Sequence, residues 1–327
     1  MNFVTPVEIS DRLPRLTQHN ELLVMGSCFA ENIGSRLAEA KFRCDVNPYG
    51  VLYNPLSIAQ ALREILAGKV YTPDDLLQHG GLWHSAMHHG DFSSESTEEI
   101  LQRINMRLGQ AHRQSNRWDV LLLTFGTAWV YLQEDKVVGN CHKQPEKCFV
   151  RRRLEPEEIV TGYTGLIAEL MRRHPHLKIV FTVSPIRHVR DGMHANNLSK
   201  AVLHLAIDRL QAAYPDAVSY FPAYELLLDE LRDYRFYAAD MLHPSEVAVQ
   251  YVWQKFVQHC FSPQAVIIMN ECEEIHRALA HRPFRPASDE YKRFLGQIML
   301  RIDRLSEKYP YLDFQNERDV CHTLLIQ

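Results

Sequence analysis

The chain has 327 residues, enough for one large domain or two small ones, and 46% of them are apolar against 23% charged. This composition is ordinary for a globular protein and excludes a largely disordered chain. The 36 basic and 40 acidic residues give a formal net charge of −4, and the densest basic run is three arginines at 151–153, so broad nucleic-acid binding is excluded.

Short apolar runs alternate along the chain with segments of helical spacing. Residues 22–25 predict a buried strand that stops at Gly26, and the apolar spacing from Cys28 to Ala40 predicts a helix directly after it. Further strands are expected at 42–46, 120–125, 179–183 and 218–221, a hairpin at 130–138, and helices at 56–66, 98–108, 159–171, 198–213 and 247–261. This alternation is typical of an α/β protein with a mainly parallel sheet.

The C-terminal part of the sequence has a different pattern. From about Cys272 onward it is helical and lacks a strong strand. We therefore expect a main domain at 1–262 and a helical extension at 263–327 packed on it.

The sequence also bears on location. No basic segment followed by an apolar run opens the chain, and no apolar stretch is long enough to span a bilayer. The seven cysteines are scattered without paired spacing, as free thiols in a reducing compartment are. The expectation is a cytoplasmic protein without membrane insertion.

Ser27 lies where the first buried strand ends and a helix begins. Ligands of open parallel sheets bind beyond the carboxyl ends of the strands, and a helix start supplies unpaired N–H groups that can hold an oxyanion. Ser27 is therefore a candidate nucleophile for acyl transfer. It can also be a simple helix N-cap. The neighbouring Cys28 is a competing nucleophile, because thiols at helix N-termini can ionise more easily.

A candidate base follows much later in the chain. A serine hydroxyl needs a base to take its proton, and that base works best when a third group orients it. Asp240 and His243 are three residues apart, Pro244 fixes the backbone after them, and Ser245 can cap the following helix. The order Ser, Asp, His predicts a triad of Ser27, His243 and Asp240.

Several sequence blocks carry a family resemblance. The string Met25 to Ala30 (MGSCFA) resembles the name-giving motif of the GSCFA family, which is grouped with the SGNH/GDSL hydrolases. Blocks at 47–55, 125–131, 140–143, 182–188 and 240–245 are similar to that family too, so the resemblance covers most of residues 20–260. It implies a flavodoxin-like α/β/α three-layer sandwich with a five-stranded, mainly parallel sheet.

The resemblance also implies site roles. Ser27 is then the nucleophile, with Asp240 and His243 from the last block, and Ser27 and Gly50 supply oxyanion N–H groups. The third block of SGNH hydrolases normally has G-x-N, but here Thr127 follows Gly126 and no asparagine follows it. The Thr127 hydroxyl is one candidate donor. The other candidates are Asn54, Asn140, His142 and His188.

Other polar clusters complete the predicted site. His84 and His88 belong to a His-rich stretch on a predicted loop, which can line the substrate site or bind a metal. Cys141, His142 and Cys148 form an incomplete metal set, and no nucleotide-phosphate motif is present, so we expect neither metal nor cofactor. The predicted substrate-binding residues are Asn54, His84, His88, His142, Arg187 and His188. Arg187, His188 and Arg190 follow a predicted strand and can bind an anionic group or simply be solvated.

The expected function is hydrolysis of an acyl or acetyl ester, on a carbohydrate or another small molecule, through the serine triad. Two alternatives stay open. One is O-acyl transfer to a glycan at the same site, and the other is a non-catalytic carbohydrate-binding module that retains the fold.

Overall fold

The computed structural model describes residues 4–281, 283–285 and 288–326. Its strands are β1 (Glu21–Gly26), β2 (Arg43–Val46), β3 (Leu76–His79), β4 (Leu82–Ser85), β5 (Val120–Phe125), β6 (Trp129–Gln133), β7 (Lys136–Val138), β8 (Val150–Arg153), β9 (Lys178–Val183) and β10 (Val218–Tyr220). Its helices are α1 (Cys28–Glu39), α2 (Pro55–Ala67), α3 (Thr97–Ser115), α4 (Pro156–Arg173), α5 (Gly192–Ala213), α6 (Ala223–Glu225, continued by a π-helical segment Leu226–Leu231), α7 (Glu246–Cys260), α8 (Pro263–Leu279), α9 (Asp289–Lys308) and α10 (Gln315–Ile326).

A five-stranded parallel sheet forms the centre of the fold, in the order β10-β9-β5-β1-β2. Successive side chains of a strand point to opposite faces, and both faces are buried here. Leu23 and Met25 of β1 belong to the core formed with α2 to α5, whereas Leu22 and Val24 belong to the core formed with α1 and α7. The predicted α/β class and three-layer sandwich are confirmed.

Two small antiparallel sheets are added to the sandwich. The predicted hairpin is present as β6 and β7, with Glu134 and Asp135 at positive φ in its turn, and β8 pairs with the other edge of β6. The His-rich stretch expected on a loop instead begins in a strand, because Leu82–Ser85 pairs as β4 with β3. Alternating polar and apolar residues in such short strands leave little periodic signal.

Three helices follow the sandwich. α8, α9 and α10 share an apolar cluster that includes Ile268, Leu295 and Ile302. The start of α8 packs on the core of α1 and α7 through Ala265, and Gln18 donates to the Ala265 carbonyl at 3.3 Å. None of the helices in the described ranges combines the length and apolar character needed to cross a bilayer.

Glu317 of α10 joins these helices to the sandwich. It is buried and accepts hydrogen bonds from Lys41, at 2.6 and 2.8 Å, and from His276 Nε2 at 2.8 Å. Burial by itself raises the pKa of Glu317, but the hydrogen bonds from His276 and Lys41 outweigh it and lower the pKa to about 2. The carboxylate is therefore held in its charged form by its partners.

We expect Glu317→Gln to destabilise the protein by about 2 kcal/mol near neutral pH, since a hydrogen bond to a charged group contributes about 1.5–3 kcal/mol. A folded-state pKa below the ordinary 4.5 means that the stabilisation is complete above about pH 4.5 and is lost as the pH falls towards 2. Urea unfolding at several pH values measures the difference, which should shrink on acidification. Glu169→Gln, in the partly exposed pair with Arg173, is the control and should change stability little. A Glu317 effect as small as the control's would contradict this role.

Candidate functional site

An open cavity of about 770 Å3 lies beyond the carboxyl ends of the central strands. Ser27, which follows β1, lines it together with Thr127 near the end of β5 and Ser184 after β9. The sheet of β6, β7 and β8 contributes to the lining as well, through Trp129, Tyr131 and Arg151. The cavity is thus at the edge where a parallel sheet places its ligands.

Gly26 makes the turn that brings Ser27 to this cavity. Its φ is +143°, a conformation that residues with a side chain rarely adopt, and its N–H donates to Asn47 Oδ1 at 2.9 Å. A Cβ atom at Gly26 would lie 2.2 Å from the carbonyl oxygen of Thr124 on the neighbouring strand. Only glycine fits where β1 passes this close to β5 and turns into α1.

The Ser27 side chain does not cap the helix that it precedes. Ser27 occupies the N-cap position of α1, and its carbonyl accepts from Ala30 N–H at 2.8 Å, but its side chain makes no capping hydrogen bond. The residue is 3% exposed, and within the described part of the chain its Oγ has no hydrogen-bond partner. Because a buried hydroxyl without a partner is costly, capping alone does not account for this serine.

Asp240 and His243 meet in a tight loop before α7. Asp240 Oδ2 lies 2.5 Å from His243 Nδ1, and Asp240 Oδ1 accepts from the backbone N–H groups of Leu242 and His243 at 2.9 and 3.0 Å. These backbone hydrogen bonds and that from the imidazole lower the pKa of Asp240 to about 2. With the carboxylate ionised, the proton of a neutral imidazole is held on Nδ1 and Nε2 is left as the basic nitrogen.

Ser27 and His243 of the predicted triad line the same cavity. His243 is half exposed and is a lining residue together with Ser27. No hydrogen bond joins the two side chains in the described residues. Ser245 accepts from Ala248 N–H at 3.3 Å, which confirms the predicted cap of α7 directly after this loop.

Of the predicted oxyanion donors, Thr127 lines the cavity and Gly50 does not. Gly50 has φ +73° and its N–H donates to the Asn47 carbonyl at 2.8 Å, and it does not line the cavity. The Gly50 N–H, a predicted oxyanion donor, is therefore already engaged in a turn with Asn47. Thr127 does line the cavity, and its Oγ1 accepts from Trp129 N–H at 3.1 Å and lies 3.1 Å from Ser199 Oγ.

The central sandwich matches a known protein family. The GSCFA family model matches residues 21–256, which is most of the chain and contains all the triad candidates. The chain belongs to the GSCFA family. The model of the GSCFA domain protein C-terminal domain matches residues 272–327, the region of the last three helices.

Comparisons with curated proteins and with solved structures do not indicate a function. No curated protein matches this GSCFA protein. A solved structure described as "a putative platelet activating factor from Streptococcus pneumonia" is 12% identical and covers 73% of this chain and 82% of its own, with a TM-score of 0.37. A likeness this distant carries no conclusion about function.

Three of the predicted substrate residues of the GSCFA protein lie away from the cavity, in a buried histidine cluster. His84 and His142 stack at 4.3 Å, and His84 Nδ1 lies 2.6 Å from Ser93 Oγ. His88 Nδ1 lies 2.8 Å from Ser85 Oγ, and burial lowers the pKa of His88 to about 3. None of the three histidines lines the cavity. Across the described ranges, no three His, Cys, Asp or Glu side chains are grouped to hold a metal ion.

The other three predicted substrate residues do line the cavity. Asn54 caps α2, accepting from Ser57 N–H at 2.8 Å and donating to Ser57 Oγ at 2.7 Å, so its side chain is largely engaged in the fold. Burial, with the nearby charge of Lys200, lowers the pKa of His188 to about 4, which makes it uncharged at neutral pH. Arg187 is the cation among them.

Lys200 is a buried residue near the site that the sequence does not indicate. This side chain is 1% exposed, and its Nζ donates to the carbonyl oxygens of Gly126 and Ser184, both at 2.6 Å. Burial lowers the pKa of Lys200 to about 7. The lysine ties the ends of β5 and β9 together beneath the cavity of the GSCFA protein. A lysine at this helix position gives no sequence signal, because most lysines on amphipathic helices are solvated.

Proposed function

We propose that this GSCFA protein is an SGNH-type serine hydrolase that cleaves an ester through Ser27, His243 and Asp240. One observation carries the proposal. A buried Ser27 hydroxyl without a hydrogen-bond partner shares a cavity with His243, and Asp240 holds the Nδ1 of that histidine. It supports the roles of Ser27 as nucleophile, His243 as base and Asp240 as the group that orients the base.

The reaction then has two halves. His243 Nε2 takes the proton of Ser27 as Oγ attacks the acyl carbon, and the tetrahedral intermediate collapses when His243 passes that proton to the leaving alcohol. Water repeats the attack on the acyl-enzyme with His243 as the base and releases the acid. Asp240, ionised down to about pH 2, stabilises the imidazolium in both halves.

The oxyanion needs donors near Ser27. The first is the backbone N–H of Ser27, at the positive end of α1. The second is the hydroxyl of Thr127, in place of the usual asparagine side chain. Ser199 Oγ accepts from Ala128 N–H at 2.8 Å and can donate its own proton to Thr127 Oγ1. In that arrangement the Thr127 proton is free to donate to the oxyanion.

Labelling with a fluorophosphonate tests the nucleophile directly. The probe phosphonylates an activated serine and releases fluoride, so we expect one adduct per chain, on the peptide that contains Ser27. Ser27→Ala should abolish the adduct. Cys28→Ser should retain it, although the Cys28 thiol also lines the cavity. Labelling that follows Cys28, or no labelling of the wild-type protein, would overturn the assignment.

A further inference from the structure

The cavity beside Ser27 is more positive than the rest of the molecule. Among the described residues, its lining has four cationic side chains, Lys143, Arg151, Arg187 and Arg190, and two carboxylates, Glu146 and Asp191. The chain as a whole has a net charge of −4. This local excess of positive charge is therefore a property of the cavity.

Ion pairs account for two of the four cations. Arg151 pairs with Asp191, and its guanidinium also stacks 4.2 Å from the centre of the Trp129 ring. Arg190 pairs with Glu146. These contacts fix or neutralise two of the charges without a ligand.

Lys143 and Arg187 are left without a carboxylate partner within 4 Å in the described residues. Arg187 contacts the sulfur of Met193, a weak acceptor, at 3.9 Å. Neighbouring His188 is neutral at pH 7, because its pKa is about 4. It therefore adds no positive charge to the cavity and supplies no negative charge to pair with Arg187. Two unpaired cations thus face one cavity that also contains the candidate nucleophile.

We infer that the ester cleaved here carries an anionic group, a carboxylate or a phosphate, which Arg187 and Lys143 bind outside the reacting bond. The inference rests on the proposed function and specifies its substrate class. Charge-assisted hydrogen bonds to a guanidinium or ammonium are among the strong ones, and solvent screens the partly buried Arg187 less than a fully exposed side chain. A neutral ester of the same size lacks this interaction.

Three acetate esters that differ at one position test the inference: 4-acetoxybenzoate, 4-acetoxyphenyl phosphate and the neutral 4-acetoxybenzamide. After correction for their rates of alkaline hydrolysis, we expect kcat/KM to favour an anionic ester over the amide by about 10-fold or more. Whichever anionic ester is faster identifies the preferred anion. The preference should weaken as salt rises from about 0.05 to about 0.5 M.

The variants locate the effect. Arg187→Gln combined with Lys143→Gln should bring the ratio of anionic to neutral kcat/KM close to one. Arg172→Gln, an exposed arginine on α4 outside the cavity lining, should keep it. Equal rates for all three esters, or a preference that survives the double variant, would overturn the inference and leave the esterase proposal standing.

A binding measurement separates the two proposals. Ser27→Ala protein is titrated calorimetrically with 4-hydroxybenzoate, 4-hydroxyphenyl phosphate and the neutral 4-hydroxybenzamide. We expect the preferred anion to bind about 10-fold more tightly than the amide. Selective binding without turnover of any ester by the wild-type protein would overturn the esterase proposal and keep the anion site. Equal binding of all three compounds counts against the anion site whatever the turnover.

Discussion

Ser27→Ala is expected to lower kcat/KM for a short 4-nitrophenyl ester by on the order of 1,000-fold or more while leaving the fold intact. The loss follows from removing the nucleophile. Stability should stay equal or rise slightly, because the Ser27 hydroxyl is buried without a partner in the described residues and its removal breaks no hydrogen bond. Initial rates and thermal unfolding of the same preparation measure both effects.

The other triad members sharpen this test. His243→Ala should cost about as much as Ser27→Ala, and the double variant should be no slower than either single one, because the residues act as a unit. Cys28→Ser is the matched control and should retain most of the activity. Turnover that persists in Ser27→Ala would show that the nucleophile lies elsewhere. Product analysis with an added sugar acceptor is a separate test, and it distinguishes hydrolysis of the ester from acyl transfer to the sugar.

Gly26→Ala is the second large effect expected. The new Cβ would lie 2.2 Å from the Thr124 carbonyl, and the φ of +143° is strained for alanine. Forced overpacking and such backbone strain cost about 1–3 kcal/mol each, so we expect a loss of roughly 3 kcal/mol or more. The strand must shift to relieve the contact, and Ser27 shifts with it. We therefore expect activity to fall as well, measured under conditions where the variant is still folded.

A glycine in open space provides the control. Gly296 lies within α9, and nothing lies within 4 Å of the Cβ that alanine would add. Gly296→Ala should stabilise the helix by about 0.5–1 kcal/mol and leave turnover unchanged. If Gly26→Ala unfolds at the same urea concentration as the wild-type protein and keeps its activity, the close approach of β1 and β5 does not hold.

The sheet and the place of the candidate site beyond its strands could be predicted because both depend on local pattern. Buried strands such as 120–125 are continuous apolar runs, and the glycine that ends the first run predicts the turn before Ser27. Asp240 and His243 are close in sequence, so one loop brings them together. These are short-range features that survive folding unchanged.

What could not be predicted depends on hydrogen bonds made in three dimensions. The Gly50 N–H is occupied by a turn to Asn47, and His84 and His142 are stacked in the interior. Sequence shows which polar groups exist but not which of them the fold has already satisfied. Lys143 and Arg187 became informative only when the partners of their neighbours Arg151 and Arg190 were known.

Lys200 has a consequence for changing the substrate range of this site. Its Nζ donates to the carbonyls of Gly126 and Ser184, the residues directly after β5 and β9 and just before segments that line the cavity. The distance between these two attachment points is therefore fixed by the buried lysine and not by the residues that line the cavity. Exchanging exposed side chains of the cavity lining should therefore leave the spacing of both attachment points unchanged, provided that the buried lysine is retained.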